Sequence, residues 1–227
     1  MAHVLVFVSA PGDAAIDDAV RQVGMSKAAG IAWSGMTMLS PGEAFEATFE
    51  ATPQAARALR DELAGNWNMD VCLLPAANRR KRLLVADMDS TIIQQECIDE
   101  MADVLGIKPQ IAEITERAMR GELEFEPALR ERVALLKGLP VSVVGEVLDS
   151  RITLTSGGVE LVRTMRAHGA YTCLVSGGFT LFTEQVAARI GFNENRANVL
   201  IVEGAHFAGA VAEPILGREA KLAALRD

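Results

Sequence analysis

The sequence lacks any stripe of lysine and arginine. Apart from the short cluster Arg79, Arg80, Lys81 and Arg82, its 22 basic residues are dispersed and are outnumbered by 30 acids. A net charge of −8 and a pI near 5.0 exclude a basic nucleic-acid footprint, and the cluster reads as the solvated end of a linker. An anionic substrate would have to be met by a local pocket, because the overall field repels it. Long apolar runs are also missing: none approaches the roughly 18 residues that suggest a bilayer span. The opening Met-Ala-His-Val-Leu-Val has no charged region ahead of a secretory segment. Cysteine is scarce and odd in number, at Cys72, Cys97 and Cys173, which argues against a disulfide framework. Cys72 and Cys173 lie in apolar strand-like runs and read as small core residues in a reducing compartment. These absences point to a soluble cytoplasmic protein with no nucleic-acid or membrane partner.

Half of the 227 residues are hydrophobic, enough for one large domain or two ordinary ones. Val4 to Val8 suits a strand, and Pro11-Gly12-Asp13 turns into a helical stretch ending near Gly24. Gly30 to Met38 and Glu43 to Glu50 are further strands, separated by the turn Ser40-Pro41-Gly42. Thr52-Pro53 opens a helix with Thr as N-cap, and Asn68 to Leu74 is a last strand. This β-α-β-β-α-β order is the split βαβ, ferredoxin-like arrangement. Pro75 to Arg82 is polar and punctuated, so the boundary falls there and gives domains 1–76 and 82–227. The first concentrates no titratable or metal-binding residues and reads as a regulatory or dimerising module.

The second domain begins with Leu83-Leu84-Val85-Ala86-Asp87-Met88-Asp89-Ser90-Thr91. The apolar run is too short for a helix and reads as a buried strand stopping on two acids. Open α/β sheets bind ligands beyond the carboxyl ends of their strands. Ile98 to about Arg151 shows helical periodicity, with apolar faces at Ile98, Met101, Ala102 and Leu105, then Ile111, Ile114 and Ala118, then Leu129, Val133 and Leu136. It reads as a helical cap, about 97–151, inserted after the first strand. A helix from Val159 to His168 leads to a second buried strand, Tyr171 to Val175, with Ser176-Gly177-Gly178-Phe179 at its end. Val199 to Val202 is expected as a third strand, with His206 to Val211 pairing with its end across the turn Glu203-Gly204-Ala205.

Two carboxylates one residue apart at a strand end can face one reactive centre while Met88 points into the core. A carboxylate can attack phosphorus, and its neighbour can shuttle protons to the leaving oxygen and from water. That makes Asp87 the candidate nucleophile and Asp89 the candidate general acid/base. Two carboxylates repel a phosphate dianion unless a cation intervenes, and hard oxygen ligands favour Mg²⁺. Asp87, with the main-chain carbonyl of Asp89, would supply part of that metal site. Ser176-Gly177-Gly178 offers a hydroxyl and backbone N–H groups to an anion, although alone it reads equally well as a plain turn. Lys221, taken alone, reads as a solvated surface lysine.

The residues Asp87-Met88-Asp89-Ser90-Thr91, Glu96, the run from Met119 to Pro140 and Val175-Ser176-Gly177-Gly178-Phe179 resemble the bacterial phosphoserine phosphatases of the haloacid dehalogenase superfamily. The likeness runs from Arg82 to Lys221, and the first domain is similar to the ACT-like N-terminal region of some members. The resemblance implies an α/β fold, Rossmann-like with a helical cap, and Mg²⁺-dependent hydrolysis of O-phosphoserine through an aspartyl-phosphate in serine biosynthesis. It implies that Glu96 holds the substrate ammonium, that Arg132 holds its carboxylate, and that Met119 and Phe125 close the cap. Without it, all four would be ordinary surface or core residues. It also gives phosphate binding to Ser176, Gly177 and Gly178, and charge neutralisation beside Asp87 to Lys221. Members carry a further Gly-Asp-Gly-x-x-Asp segment after the lysine. Its absence before Asp227 leads us to expect a C-terminally truncated chain with little activity and an unpaired edge on the Asp87 strand. Two other readings stay open: phosphoryl transfer involving another small alcohol such as homoserine, and a catalytically dead ligand-binding remnant. A homodimer through the N-terminal domain is a further expectation.

Overall fold

The computed structural model describes residues 1–10, 15–25, 31–65, 69–217 and 219–226, which fall into two compact units, Met1–Arg80 and Lys81–Asp227. In the first, β1 (Ala2–Val8), β2 (Trp33–Ser40), β3 (Ala44–Glu50) and β4 (Asp70–Pro75) form an antiparallel sheet of order β2-β3-β1-β4. Two helices, α1 (Ala15–Met25) and α2 (Pro53–Ala64), belong to the same unit. Strand β3 shows how the pattern sets the core: Phe45, Ala47 and Phe49 are buried while Glu46, Thr48 and Glu50 alternate with them. Phe45 stacks on Phe7 with centroids 4.4 Å apart. Thr52 caps α2, its Oγ1 accepting from the Ala55 N–H at 3.3 Å.

Two local expectations shift. Strand β2 starts at Trp33 and runs on to Ser40, past Met38. Cys72 is exposed, because it alternates with buried Val71 along β4. The expected turn at Pro11-Gly12-Asp13, the strand start at Gly30 and the strand residue Asn68 lie outside the described residues.

In the second unit, β5 (Leu83–Ala86), β6 (Tyr171–Phe179) and β7 (Glu194–Asn198) form a parallel sheet of order β5-β6-β7. Among the described residues β5 pairs along one side only, with β6. Between β5 and β6 come α3 (Cys97–Val104), α4 (Lys108–Met119), α5 (Phe125–Ala134), α6 (Val143–Ser150) and α7 (Gly158–Ala167). After β6 come α8 (Thr180–Ile190), then β7, β8 (Leu200–Glu203), β9 (His206–Val211) and α9 (Glu219–Arg226). Met88, Leu174, Phe179 and Phe182 sit in the core of this unit at 0–1% exposure, each worth about 2 kcal/mol of burial.

The third sheet strand differs from expectation. It is the polar run Glu194–Asn198, and the apolar Leu200–Glu203 forms an antiparallel hairpin with β9 instead. A strand at the sheet's edge can carry polar side chains that bond locally. Here the Thr183 hydroxyl donates to Asn195 Oδ1 at 2.8 Å, the Tyr171 hydroxyl to Glu194 Oε2 at 2.8 Å and Arg196 Nε to Glu194 Oε1 at 2.5 Å.

Candidate active site

Strand β5 ends at Ala86, and the chain then winds through residues 88–92 in a tight irregular turn. Ser90 takes a φ of 51°, a left-handed conformation unfavourable for a residue with a Cβ. Its backbone N–H donates to Gln95 O at 3.1 Å, and its hydroxyl donates to Glu96 Oε1 at 2.6 Å, which offset that strain. Met88 is fully buried. Asp87 Oδ1 accepts from the Met88 N–H at 2.9 Å, and Asp87 Oδ2 accepts from Lys221 Nζ on α9.

Asp89 is held differently. Its Oδ1 accepts from the Cys97 N–H, the first of α3, at 2.9 Å, and its Oδ2 accepts from the Ser176 hydroxyl at 3.2 Å. Burial raises its carboxyl above the ordinary 3.8. The bonds from Cys97 and Ser176 oppose that shift without cancelling it, and the charge of Asp87 adds to it. The two carboxylates therefore differ chemically: Asp87 is paired with a cation, whereas Asp89 has an increased affinity for a proton. Gly178 is required beside them, since a Cβ there would lie 2.8 Å from Asp89 Oδ2 and 3.1 Å from Ser176 Oγ.

These groups open onto a cavity of about 380 Å³, a size suited to a small metabolite. Asp87, Asp89, Glu96, Phe125, Arg132, Ser176, Gly177, Gly178 and Lys221 all line it, so five separate segments bring together residues spread over 135 positions of chain. Cys97, Ile98, Leu129 and Gly217 also line the wall. Partial burial raises the Glu96 carboxyl above its ordinary value, with Asp89 and Asp99 adding to the shift. The same cause lowers Arg132, which remains a cation, and its Nε donates to Ala128 O at 3.3 Å. Phe125 leans on the glycine loop, where a Cβ at Gly177 would lie 3.2 Å from its Cζ. Met119 is not among the lining residues: it ends α4 and is 85% exposed.

The Ser176 loop is part of β6, which runs on to Phe179 past the Val175 expected as its end. It bulges out of the β6–β7 ladder, where Val175 pairs with Arg196 and Phe179 with Asn198, and α8 starts only at Thr180. The Gly178 N–H donates to Ser176 Oγ at 2.8 Å, so the Ser176 hydroxyl engages this amide as well as Asp89. Sequence reading missed Asn198, whose buried amide bonds Gly177 and Leu216, because it sits in a polar run with no motif around it. Among the described residues no group of three or more His, Cys, Asp and Glu converges as a metal centre. Asp87 and Asp89 offer hard oxygen donors, which fit Mg²⁺, an ion held by one or two carboxylates with water and substrate oxygens. No helix among the described residues is long and apolar enough to cross a membrane.

The haloacid dehalogenase-like hydrolase family model matches residues 84–227. A phosphoserine phosphatase of Archaeoglobus fulgidus is 42% identical over 170 residues, 74% of this chain and 49% of that protein. One of Streptococcus thermophilus is 44% identical over 147 residues, covering 65% of this chain and 68% of the relative. A solved phospho-aspartyl intermediate analogue of phosphoserine phosphatase superposes with a TM-score of 0.59 at 36% identity, over 65% of this chain and 70% of that one. A hydrolase of the same superfamily from Salmonella enterica serovar Typhi covers 100% of this chain and 77% of its own, at a TM-score of 0.79 and 28% identity. The chain belongs to the haloacid dehalogenase-like hydrolases and, within them, to the phosphoserine phosphatase branch. It spans about half the length of several curated relatives that it matches.

Proposed function

We propose that the cavity binds O-phospho-L-serine and hydrolyses it to L-serine and phosphate in two steps. In the first, a carboxylate oxygen of Asp87 attacks phosphorus, the P–O bond to serine breaks, and Asp89 gives its proton to the departing serine oxygen. In the second, Asp89 takes a proton from water as that water attacks the aspartyl-phosphate, releasing phosphate and restoring Asp87. The observation that carries this reading is the contrast between the two carboxylates. Lys221 beside Asp87 steers the nucleophile and offsets phosphoryl charge, while burial of Asp89 favours the protonated acid that the first step needs.

Recognition falls to other residues of the lining. Glu96 would pair with the substrate ammonium and Arg132 with its carboxylate, a bidentate task that suits a guanidinium. Ser176, Gly177 and Gly178 would face the phosphate, and Phe125 would cover it. Asp87, with the carbonyl of Asp89, would hold Mg²⁺, which when bound supplies positive charge for the phosphoryl oxygens. The helices between Cys97 and Ser150 then serve as a substrate-reading cap, and the β2-β3-β1-β4 unit as an ACT-like regulatory or dimerising module. The reading places the reaction in serine biosynthesis, in the cytoplasm.

A second reading, ligand binding without turnover, is favoured by one observation: among the described residues no third His, Cys, Asp or Glu converges with Asp87 and Asp89 as a metal ligand. Phosphate release from O-phosphoserine with Mg²⁺, set against the Asp87→Asn variant, separates the two. Turnover that disappears in the variant supports hydrolysis. Saturable binding of O-phosphoserine with no turnover supports the second reading, and absence of both removes the substrate assignment.

A further inference from the structure

The nucleophile's cation and the phosphate loop come from segments more than forty residues apart, and one side chain ties their neighbourhoods together. Asn198 ends β7 and is 2% exposed. Its Nδ2 donates to Gly177 O at 2.8 Å and to Leu216 O at 3.2 Å, and its Oδ1 accepts from the Leu216 N–H at 2.7 Å. The amide thus mimics a strand backbone, satisfying both main-chain groups of Leu216 while holding the carbonyl between Ser176 and Gly178. Leu216 precedes Gly217, which lines the cavity, and α9 carries Lys221 to Asp87. The bulge in the β6–β7 ladder turns Gly177 O toward Asn198, which pairs with Phe179 in that ladder.

We propose that Asn198 is a positioning residue that sets the separation between the Lys221–Asp87 pair and the Ser176–Gly178 loop. The inference rests on the phosphatase reading for its kinetic consequence but not for its structural one. Only a planar group with two N–H donors and an acceptor meets all three partners. Aspartate keeps the shape and the acceptor and lacks both donors. When protonated, it regains one.

The test compares wild type, Asn198→Asp and Asn198→Ala by hydrogen exchange and by Mg²⁺-dependent phosphate release from O-phosphoserine across pH 5 to 8. Exchange is expected to accelerate in peptides covering 212–226 and 174–180 of both variants and to stay unchanged in 1–65. The Leu216 amide should remain protected in Asn198→Asp and become unprotected in Asn198→Ala. Turnover should fall about ten- to a hundredfold, chiefly in kcat. The ratio of Asn198→Asp to wild type should rise as pH falls and the new buried carboxyl gains its proton. Local exchange unchanged in both variants would overturn the proposal, as would a ratio that stays flat with pH. Wild type that shows the expected exchange contrast without turnover would overturn the phosphatase reading and leave the positioning role standing.

Discussion

Adding one methyl group at Gly178 tests the close approach of the phosphate loop to Asp89. The new Cβ would sit 2.8 Å from Asp89 Oδ2 and 3.1 Å from Ser176 Oγ, where ordinary contact begins at 3.4 Å. One side must give by about 0.6 Å, and neither is the free end of a flexible chain. Ser176 is 2% exposed, and Asp89 is anchored by the Cys97 N–H. The Ser176–Asp89 hydrogen bond, already 3.2 Å, is then lost, and the general acid moves away from the leaving oxygen. A displacement approaching 1 Å costs up to about a hundredfold in rate, so Gly178→Ala should lower kcat about thirtyfold. Overpacking should also cost about 1–2 kcal/mol of stability. Gly145→Ala is the control: it lies inside α6, nothing stands within 4 Å of its Cβ, and the change should stabilise by about 0.5–1 kcal/mol without altering turnover. Thermal melts and phosphate release on both variants decide the matter. Gly178→Ala with wild-type Tm and kcat within threefold of wild type would refute the reasoning.

Asp89→Asn should lose at least about a hundredfold in kcat yet melt higher than wild type at neutral pH. The folded carboxyl's pKa lies above 3.8, so ionising it costs folding free energy as pH rises from there through the raised value. The variant's Tm advantage should vanish below about pH 3.8, and a constant difference across pH would contradict the burial argument. Lys221→Met should change stability by less than about 1 kcal/mol, since its ion pair with Asp87 is solvent-accessible on both sides, while turnover falls about a hundredfold. Equal losses in unfolding free energy and in activation free energy would show the lysine to be structural. Arg132→Lys should raise KM for O-phosphoserine about thirtyfold and leave that for phosphoethanolamine, which lacks the carboxylate, nearly unchanged. Parallel increases would remove the carboxylate role.

The legible parts of this molecule are those where chemistry and periodicity coincide. Leu83 to Asp89 could be read because an apolar run stops abruptly on two acids, and β3 because Phe45, Ala47 and Phe49 alternate with polar neighbours. Strand β7 could not be read, because an edge strand satisfied by side-chain hydrogen bonds carries no apolar signal. The apolar residues after it carry the pattern of a third sheet strand but belong to a hairpin. Lys221, unremarkable on its helix, acquires meaning only when folding carries it to Asp87, 134 residues away. Asn198 has no motif at all, and its significance lies wholly in three main-chain groups that the fold delivers to it. Met119 shows the reverse: a residue the family resemblance brings to the site stands 85% exposed at the end of α4.

The central claim is that Asp87 becomes phosphorylated. Incubation with O-phospho-L-serine carrying ³²P and Mg²⁺, followed by rapid acid quench and peptide mapping, tests it directly. Acid-stable, alkali-labile label should appear on the peptide containing Asp87 and be absent from Asp87→Asn. Phosphate released with no protein-bound label, or label on another residue, would contradict the account.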